Sequence, residues 1–444
     1  MTLVKNGKTW RNNGFQEADL SIKMGKIEAI HTGANQSARL NEPIIDAKGC
    51  WILPGGVDLH AHIQDGAETF FHGSCAAVKG GIATVIDMPP FKTVTSREQW
   101  RARTAWADQE CVCDFGFTGG IVVDMEDLDH LAELSACGVS QFKIFMLSHP
   151  SDELLWKAVQ FAAHSGIRLA VHMEEPSMLQ EVDWSNPSGF YKANPPEAEN
   201  VAVARMLEMA RAAGAPIHVC HVSSARSVEL IDRYKGWGTA VTAETTPHYL
   251  ILNQKNIMDF PERAIVTPAL RGEHDNDILW QALENDVIDI LVSDHFLDAL
   301  PDPEKPRPAP KDAEAGIAGL ELSLPLVYTF GVERGKLSMQ RFVEAFATTP
   351  AALAGIADHK GTIEPGMDAD LVIFDPAKKW IVQPLGKDSR ITTLPYEKWQ
   401  LQGFVSKTLV RGKEVWNGNE ITCDAGWGHA IPHGIIEPNY LMEK

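Results

Sequence analysis

The stretch Gly55–His62, GGVDLHAH, decides how the rest of the chain is read. Residues 56–62 form an apolar run of strand length with His60 and His62 two positions apart, so on an extended strand both imidazoles leave the same face. Seven similar runs follow: Ala83–Met88, Asp114–Ile121, Ser140–Met146, Ile167–Met173, Ile217–Val222, Thr239–Thr245 and Val287–Asp294. Helical patterns separate most of them, among them Glu197–Ala213, Ser224–Tyr234 and Asp275–Asn285. Such alternation favours a parallel sheet, and eight repeats favour its closure into a (β/α)8 barrel of the TIM type. An open doubly wound sheet is the competing arrangement, but no GxGxxG follows the first strand.

Outside this α/β region the texture changes. Leu20–Ile22, Lys26–Thr32 and Pro43–Asp46 read as short strands, as do Gly361–Asp375 and Phe404–Trp416 near the other end. Two strand-rich ends suggest one small β-sandwich domain over residues 1–50 and 360–425, a barrel over 51–359, and a tail over 426–444. The stretch Leu300–Lys311 carries five prolines and cannot be regular structure; it is either a lid or a surface connection.

The formal charge of −19 argues against nucleic acid as a partner, because phosphate binding needs a basic face. Seven cysteines are scattered without a framework spacing, and Cys111 and Cys113 form the only close pair, which reads as reduced thiols. The first residues, MTLVKNGKTW, lack the apolar stretch of a signal peptide. No window approaches the roughly 20 apolar residues that span a bilayer. The expectation is a cytoplasmic protein with no membrane partner.

The metal-capable side chains gather late in the apolar runs, where barrel enzymes place their chemistry. Besides His60 and His62, Lys143 interrupts the apolar run Gln141–Phe145, His172 and His221 lie late in the fifth and sixth runs, and Asp294 ends the eighth. Any one of them has an ordinary reading: a hydrogen-bonded core histidine, a lysine reaching past the sheet edge, an aspartate capping a turn. Six suitable residues at one end of one barrel form a joint pattern that chance seldom supplies. Four imidazoles and a carboxylate suit zinc or a similar divalent ion. A lysine near two cations disfavours its ammonium form, and the neutral amine can add carbon dioxide to give an anionic carbamate.

In order along the chain, GGVDLHAH (Gly55–His62), GGIATVIDMP (Gly80–Pro89), FKIFM (Phe142–Met146), HVSS (His221–Ser224), TPHYL (Thr246–Leu250) and SDH (Ser293–His295) resemble the cyclic amidohydrolases. These are the hydantoinase, allantoinase and dihydroorotase branch of the amidohydrolase superfamily. The segment Glu364–Pro376, EPGMDADLVIFDP, resembles that family's return to its small β-domain, so the likeness covers nearly the whole chain. The resemblance implies two divalent metal ions, zinc first, with His60, His62 and Asp294 on one and His172 and His221 on the other. It makes Lys143 the carboxylated bridging lysine (N6-carboxylysine) and Asp294 the catalytic proton carrier for ring opening by a metal-bridging hydroxide. His218, three residues before His221 and so on the opposite strand face, is assigned to packing or support; His248 and His295 are placed behind the ligands or near substrate. The resemblance also implies a homo-oligomer, commonly a tetramer.

Dihydroorotase-like chains usually continue HxH into HxHxR and follow their DMP-like segment with asparagine, and these two groups hold a substrate carboxylate. Here those positions are Gln64 and Pro90, so an anionic ring loses a charge-assisted contact. Hydantoinase-like chains carry a tyrosine five residues after the bridging lysine, where this chain has Ser148. Asp87–Pro89 looks more like allantoinase, which makes allantoin the first candidate among uncharged hydantoin-type rings, with hydantoinase or dihydropyrimidinase activity as the alternative. Gln64, Ser148, Tyr249, Thr267 and Gly316 are the expected substrate contacts. A metal-free family member acting as a binding protein is a different class of reading, which the complete set of ligand types disfavours.

Overall fold

The computed structural model describes residues 1–32, 42–64, 66–88, 93–135, 137–186, 188–259, 263–297, 310–312, 315–385, 389 and 394–431. Strand β1 (Gly56–His62) pairs in parallel with β2 (Ile82–Asp87), and β2 with β3 (Asp114–Phe117). A second parallel arc runs through β4 (Gln141–Phe145), β5 (Arg168–His172), β6 (Ile217–Val219) and β7 (Val241–Thr245). The arcs meet at a parallel bridge between Gly119 and Phe142. Strand β8 closes the ring in two pieces: Ile290–Leu291 pairs with β7, and His295–Phe296 pairs with β1. The fold is therefore a TIM barrel, as the alternation of apolar runs predicts.

The paired strands are shorter than the apolar runs at their ends, and the breaks have physical causes. Beyond β3, Gly120 takes φ +110°, a region that few residues other than glycine adopt. The run Val287–Asp294 is interrupted at its end because Asp294 adopts a left-handed φ of +46° and donates its N–H to the His60 carbonyl at 2.8 Å. Helices start directly after the strands through side-chain caps. Ser224 accepts from the Ser227 N–H to open Ala225–Gly236, and Thr246 accepts from the Tyr249 N–H to open Pro247–Ile251.

Both ends of the chain build one nine-stranded β-sandwich sheet beside the barrel. Trp51–Pro54 lies at its centre, parallel to Lys8–Arg11 and antiparallel to Leu371–Ile381. Apolar residues from both ends, including Val4, Leu20, Ile52, Leu371 and Leu409, share one buried cluster. The strand expected from residue 361 starts only at Leu371, because Pro365 and Gly366 (φ +94°) turn the chain first. Residues at the start of the expected tail are fastened to the barrel: Phe115 donates to the His429 carbonyl at 3.0 Å and Ile431 to the Phe115 carbonyl at 2.9 Å. Residues 432–444, Pro90 and residues 300–309 of the proline-rich stretch lie outside the described residues. Among the described residues no helix is long and apolar enough to cross a membrane.

Candidate metal centre

His60 and His62 leave β1 on one face, and their Nε2 atoms lie 3.2 Å apart. The Asp294 carboxylate meets them there, with Oδ1 3.3 Å from His60 Nε2 and 3.4 Å from His62 Nε2. The outer nitrogens are already committed: His60 Nδ1 faces a Glu244 carboxylate oxygen and His62 Nδ1 faces the Met88 carbonyl. Both partners only accept, so both Nδ1 atoms carry the proton. Burial pushes the His60 ring below its ordinary value, which keeps it neutral with its lone pair on Nε2. Burial alone would raise the Asp294 carboxyl, but His60 and a hydrogen bond with His62 hold it well below the usual carboxylate range. His60 Nε2, His62 Nε2 and an ionised carboxylate oxygen therefore converge on one point, a set that suits a cation.

A second pair faces the same interior. His172 Nδ1 and His221 Nε2 are 3.1 Å apart, with ring centroids at 4.7 Å. His172 Nε2 is held by Glu174 Oε2 at 2.9 Å, which leaves Nδ1 as the free donor atom. His221 Nδ1 is buried with no hydrogen-bond partner, and burial pushes its ring well below the ordinary value. The His60 and His221 rings sit 5.3 Å apart, so the two groups form one centre. Lys143 is buried with them, its Nζ 3.1 Å from Cys220 Sγ. Burial pushes the Cys220 thiol up to about 12, so the sulfur stays protonated. Cys220, His60 and Glu244 also cluster tightly enough to hold an ion. His60 spends Nδ1 on Glu244, however, so that trio reads as hydrogen bonds around the centre. The donor set, in which His60, His62 and His172 each present one nitrogen opposite a held one, fits a binuclear divalent site.

The strand-face reading of His218 needs correction. Register places His218 level with Ala170 on β5 and Thr242 on β7, and Ala170 is level with Lys143. Side chains alternate, so His218 shares the inward face of Cys220, which packs with Ala170 and Met88 inside the barrel. His221 lies beyond the last paired residue, Val219, and its φ of +35° turns it inward. His218 supports the centre: it bonds Thr242 Oγ1 at 2.8 Å and Glu244 Oε2 at 3.0 Å. Sequence reasoning missed Glu244, Glu174 and Asp58. Glu244 also accepts the His221 N–H at 3.1 Å, and Asp58 bridges the His60 and Ser293 N–H groups at 3.0 Å each. The available signal was placement: Glu244 occupies a late strand position like the ligands, and Glu174 lies two residues past His172.

The remaining expected residues are more dispersed in role. Gln64 is buried just past β1. Ser148 is exposed in a single turn after β4 and donates to the Phe145 carbonyl at 2.7 Å. Tyr249 is buried and donates its hydroxyl to the Pro268 carbonyl at 2.6 Å, beside half-buried Thr267. Gly316 donates to Ile265 at 2.9 Å, and a Cβ there would meet the Phe296 ring at 2.5 Å. His295 turns away from the ligands to Glu68. His248 keeps a buried Nε2 without a partner and feels the charges of Asp294 and His60.

Residues 51–415 match the amidohydrolase family. A D-hydantoinase of Ralstonia pickettii is 32% identical over 437 residues, covering 93% of this chain and 94% of its own. The solved D-hydantoinase of Bacillus sp. AR9 superposes with a TM-score of 0.88 at 28% identity, over 98% of this chain and 100% of its own. The L-hydantoinase (dihydropyrimidinase) of Arthrobacter aurescens gives a TM-score of 0.88 at 31% identity, over 97% and 99%.

Proposed function

This chain belongs to the amidohydrolase family, and we propose that it opens uncharged five- or six-membered cyclic ureides, hydantoins and dihydropyrimidines, at a two-metal centre. Metal-dependent hydrolysis of the C–N bond in cyclic amides is the activity of its branch. The observation that carries the reading is the convergence of His60 Nε2, His62 Nε2 and Asp294 Oδ1 on one point, close enough to hold an ion. The sequence reading put allantoin first. The relatives reported above are hydantoinases, so allantoin now takes second place behind the hydantoin and dihydropyrimidine rings.

In this proposal His60, His62 and Asp294 hold one ion, His172 and His221 hold the other, and Lys143 joins them as its carbamate. The carbamate forms when the neutral Lys143 amine adds carbon dioxide: one N–C bond forms and one proton leaves. Zinc is the first candidate for both ions. When bound, such ions supply a water of lowered pKa and a Lewis acid for the ring carbonyl. Asp294, ionised beside the two imidazoles, takes the proton released as water adds to the carbonyl carbon and delivers it to the departing ring nitrogen. Glu244, Glu174 and the Met88 carbonyl keep three ligand rings in fixed tautomers. Gln64 offers the ring a neutral polar group where an anion would need a cation, and Ser148 stands where hydantoinase-like chains carry a tyrosine. A homotetramer is the proposed assembly, to be read by light scattering.

The test is metal content per chain on protein purified without chelator, with intact mass before and after acid, followed by turnover of hydantoins, dihydropyrimidines and allantoin. About two divalent ions and an acid-labile carbon dioxide adduct are expected. No metal uptake even with added metal and bicarbonate would overturn the proposal.

A further inference from the structure

Arg271 is a buried guanidinium whose contacts end on the exits of both strands that carry the second metal position. Its Nε donates to Ser223 Oγ at 3.0 Å and its Nη1 to the Asn194 carbonyl at 2.7 Å. Its Nη2 lies 3.5 Å from Glu199 Oε2 and 3.8 Å from Glu174 Oε1. Glu174 uses its other oxygen to hold His172, and Oε1 is fully buried without a hydrogen bond. Glu199 accepts the N–H groups of Ser223 and Ser224 at 3.2 Å each, immediately past His221. Two buried carboxylates, Glu174 on the His172 ring and Glu199 on the backbone just past His221, thus share one counter-cation. His60 and His62 are braced instead by Glu244 and the Met88 carbonyl, whereas Arg271 meets Ser223, Asn194, Glu199 and Glu174.

We propose that Arg271 is the positioning residue of the second metal position, and that it sets the affinity of that position separately from the first. The inference rests on the two-metal reading above. A metal ligand must present one nitrogen in a fixed direction, and the carboxylate behind its other nitrogen supplies that direction. Glu174 can hold His172 in a dry interior only while a cation offsets its charge. Without the guanidinium, Glu174 and Glu199 are left as neighbouring uncompensated charges. They turn toward water, and the His172 and His221 exits separate.

The experiment uses the full chain, stripped with chelator and dialysed at buffered free zinc with bicarbonate, with bound zinc counted by elemental analysis. Wild type should take up two ions per chain. Arg271→Met and Glu174→Gln should keep one, with the second weakened about 10- to 100-fold. Arg271→Lys should recover part of the loss by restoring the charge. In a His62→Asn background, where only the second position remains intact, adding Arg271→Met should bring the count toward none. Should Arg271→Met fail to fold, Glu174→Gln and Arg271→Lys decide the matter. Unchanged two-ion binding in the variants, or equal loss of both ions, overturns the inference. A wild-type chain that binds no zinc removes the two-metal reading itself, a different result from a two-zinc wild type with unaffected variants.

Discussion

The Lys360→Met substitution isolates the joint between barrel and sandwich. Lys360 is 2% exposed, and its ammonium lies 2.7 Å from Asp114 Oδ2, 2.5 Å from Asp370 Oδ2 and 3.4 Å from Asp368 Oδ2. Asp114 starts β3, and Asp370 immediately precedes the sandwich strand Leu371–Ile381, so one cation ties the two layers. Arg411 also contacts Asp114 and gives its backbone N–H to Asp370 at 2.7 Å, but it does not replace the ammonium between the acids. Methionine keeps most of the volume and removes the charge. Breaking a buried pair by removing one partner costs about 3–5 kcal/mol. With about 2.1 cal/mol/K per residue, the unfolding entropy of a chain this long is about 0.9 kcal/mol/K, so Tm should fall by about 3–5 °C. Differential scanning calorimetry at a fixed scan rate reads this directly. Lys360→Met with Asp370→Asn should recover part of the loss, because the uncompensated acid goes with it. Metal content should not change, because Asp114 lies at the end of its strand opposite the ligands. A Tm within about 1 °C of wild type would refute the claim that this cation carries the joint.

Four further outcomes follow from the centre. Asp294→Asn should lower kcat by about 10²–10⁴-fold while metal content falls far less, since the amide keeps the shape but cannot take the proton; equal losses of metal and rate would count against it as proton carrier. Lys143→Ala should remove the acid-labile mass adduct and lower zinc uptake even in excess bicarbonate, and an adduct that persists would place the carbamate elsewhere. Burial pushes the His248 imidazole from 6.5 down to about 4, so between those values the unfolded chain binds a proton that the folded chain refuses. Stability therefore falls as pH drops through that window, by about 3 kcal/mol in full; urea unfolding of metal-free protein should show a shallower pH slope in His248→Gln, and an identical slope would refute the assignment. Tyr249→Phe removes the bond to the Pro268 carbonyl and should cost about 1 kcal/mol of stability with KM unchanged; a large rise in KM would instead make the phenol a substrate contact.

Much of the site was legible because each ligand type sits at the end of an apolar run, and strand-end position survives small errors in strand length. His60, His62, His172, His221 and Asp294 all fall in the centre for that reason. What was not legible depended on backbone angles and on contacts distant in sequence. An apolar run gives no sign that Asp294 and His221 adopt positive φ, so β8 was read as unbroken and His218 was set on the wrong face. Arg271 is 97 residues from Glu174, which it faces across two strand exits, and nothing local in TPALRG announces that meeting. At the C-terminal end, composition alone could not tell a tail from the segment through Ile431 that pairs with Phe115.

Register also explains why a lysine, and not a second aspartate, occupies β4. Lys143 is level with Ala170, whereas His172 is level with Phe145, so Lys143 starts two residues lower in the barrel than the histidine it must meet. Two residues of strand rise about 6.6 Å. A carboxylate on a one-carbon stem cannot climb that distance, and a four-carbon stem ending in nitrogen can. The level of His172 is already filled on β4 by Phe145, whose ring lies 4.6 Å from the His172 ring and holds it from the side. In the proposed centre an anionic oxygen at that level would be carried up from below, by addition of carbon dioxide to the lysine amine. Lys143→Glu tests the point: its stem ends short of the level, so it should restore little of the zinc that Lys143→Ala loses. Full two-ion binding by Lys143→Glu would show that height is not the constraint.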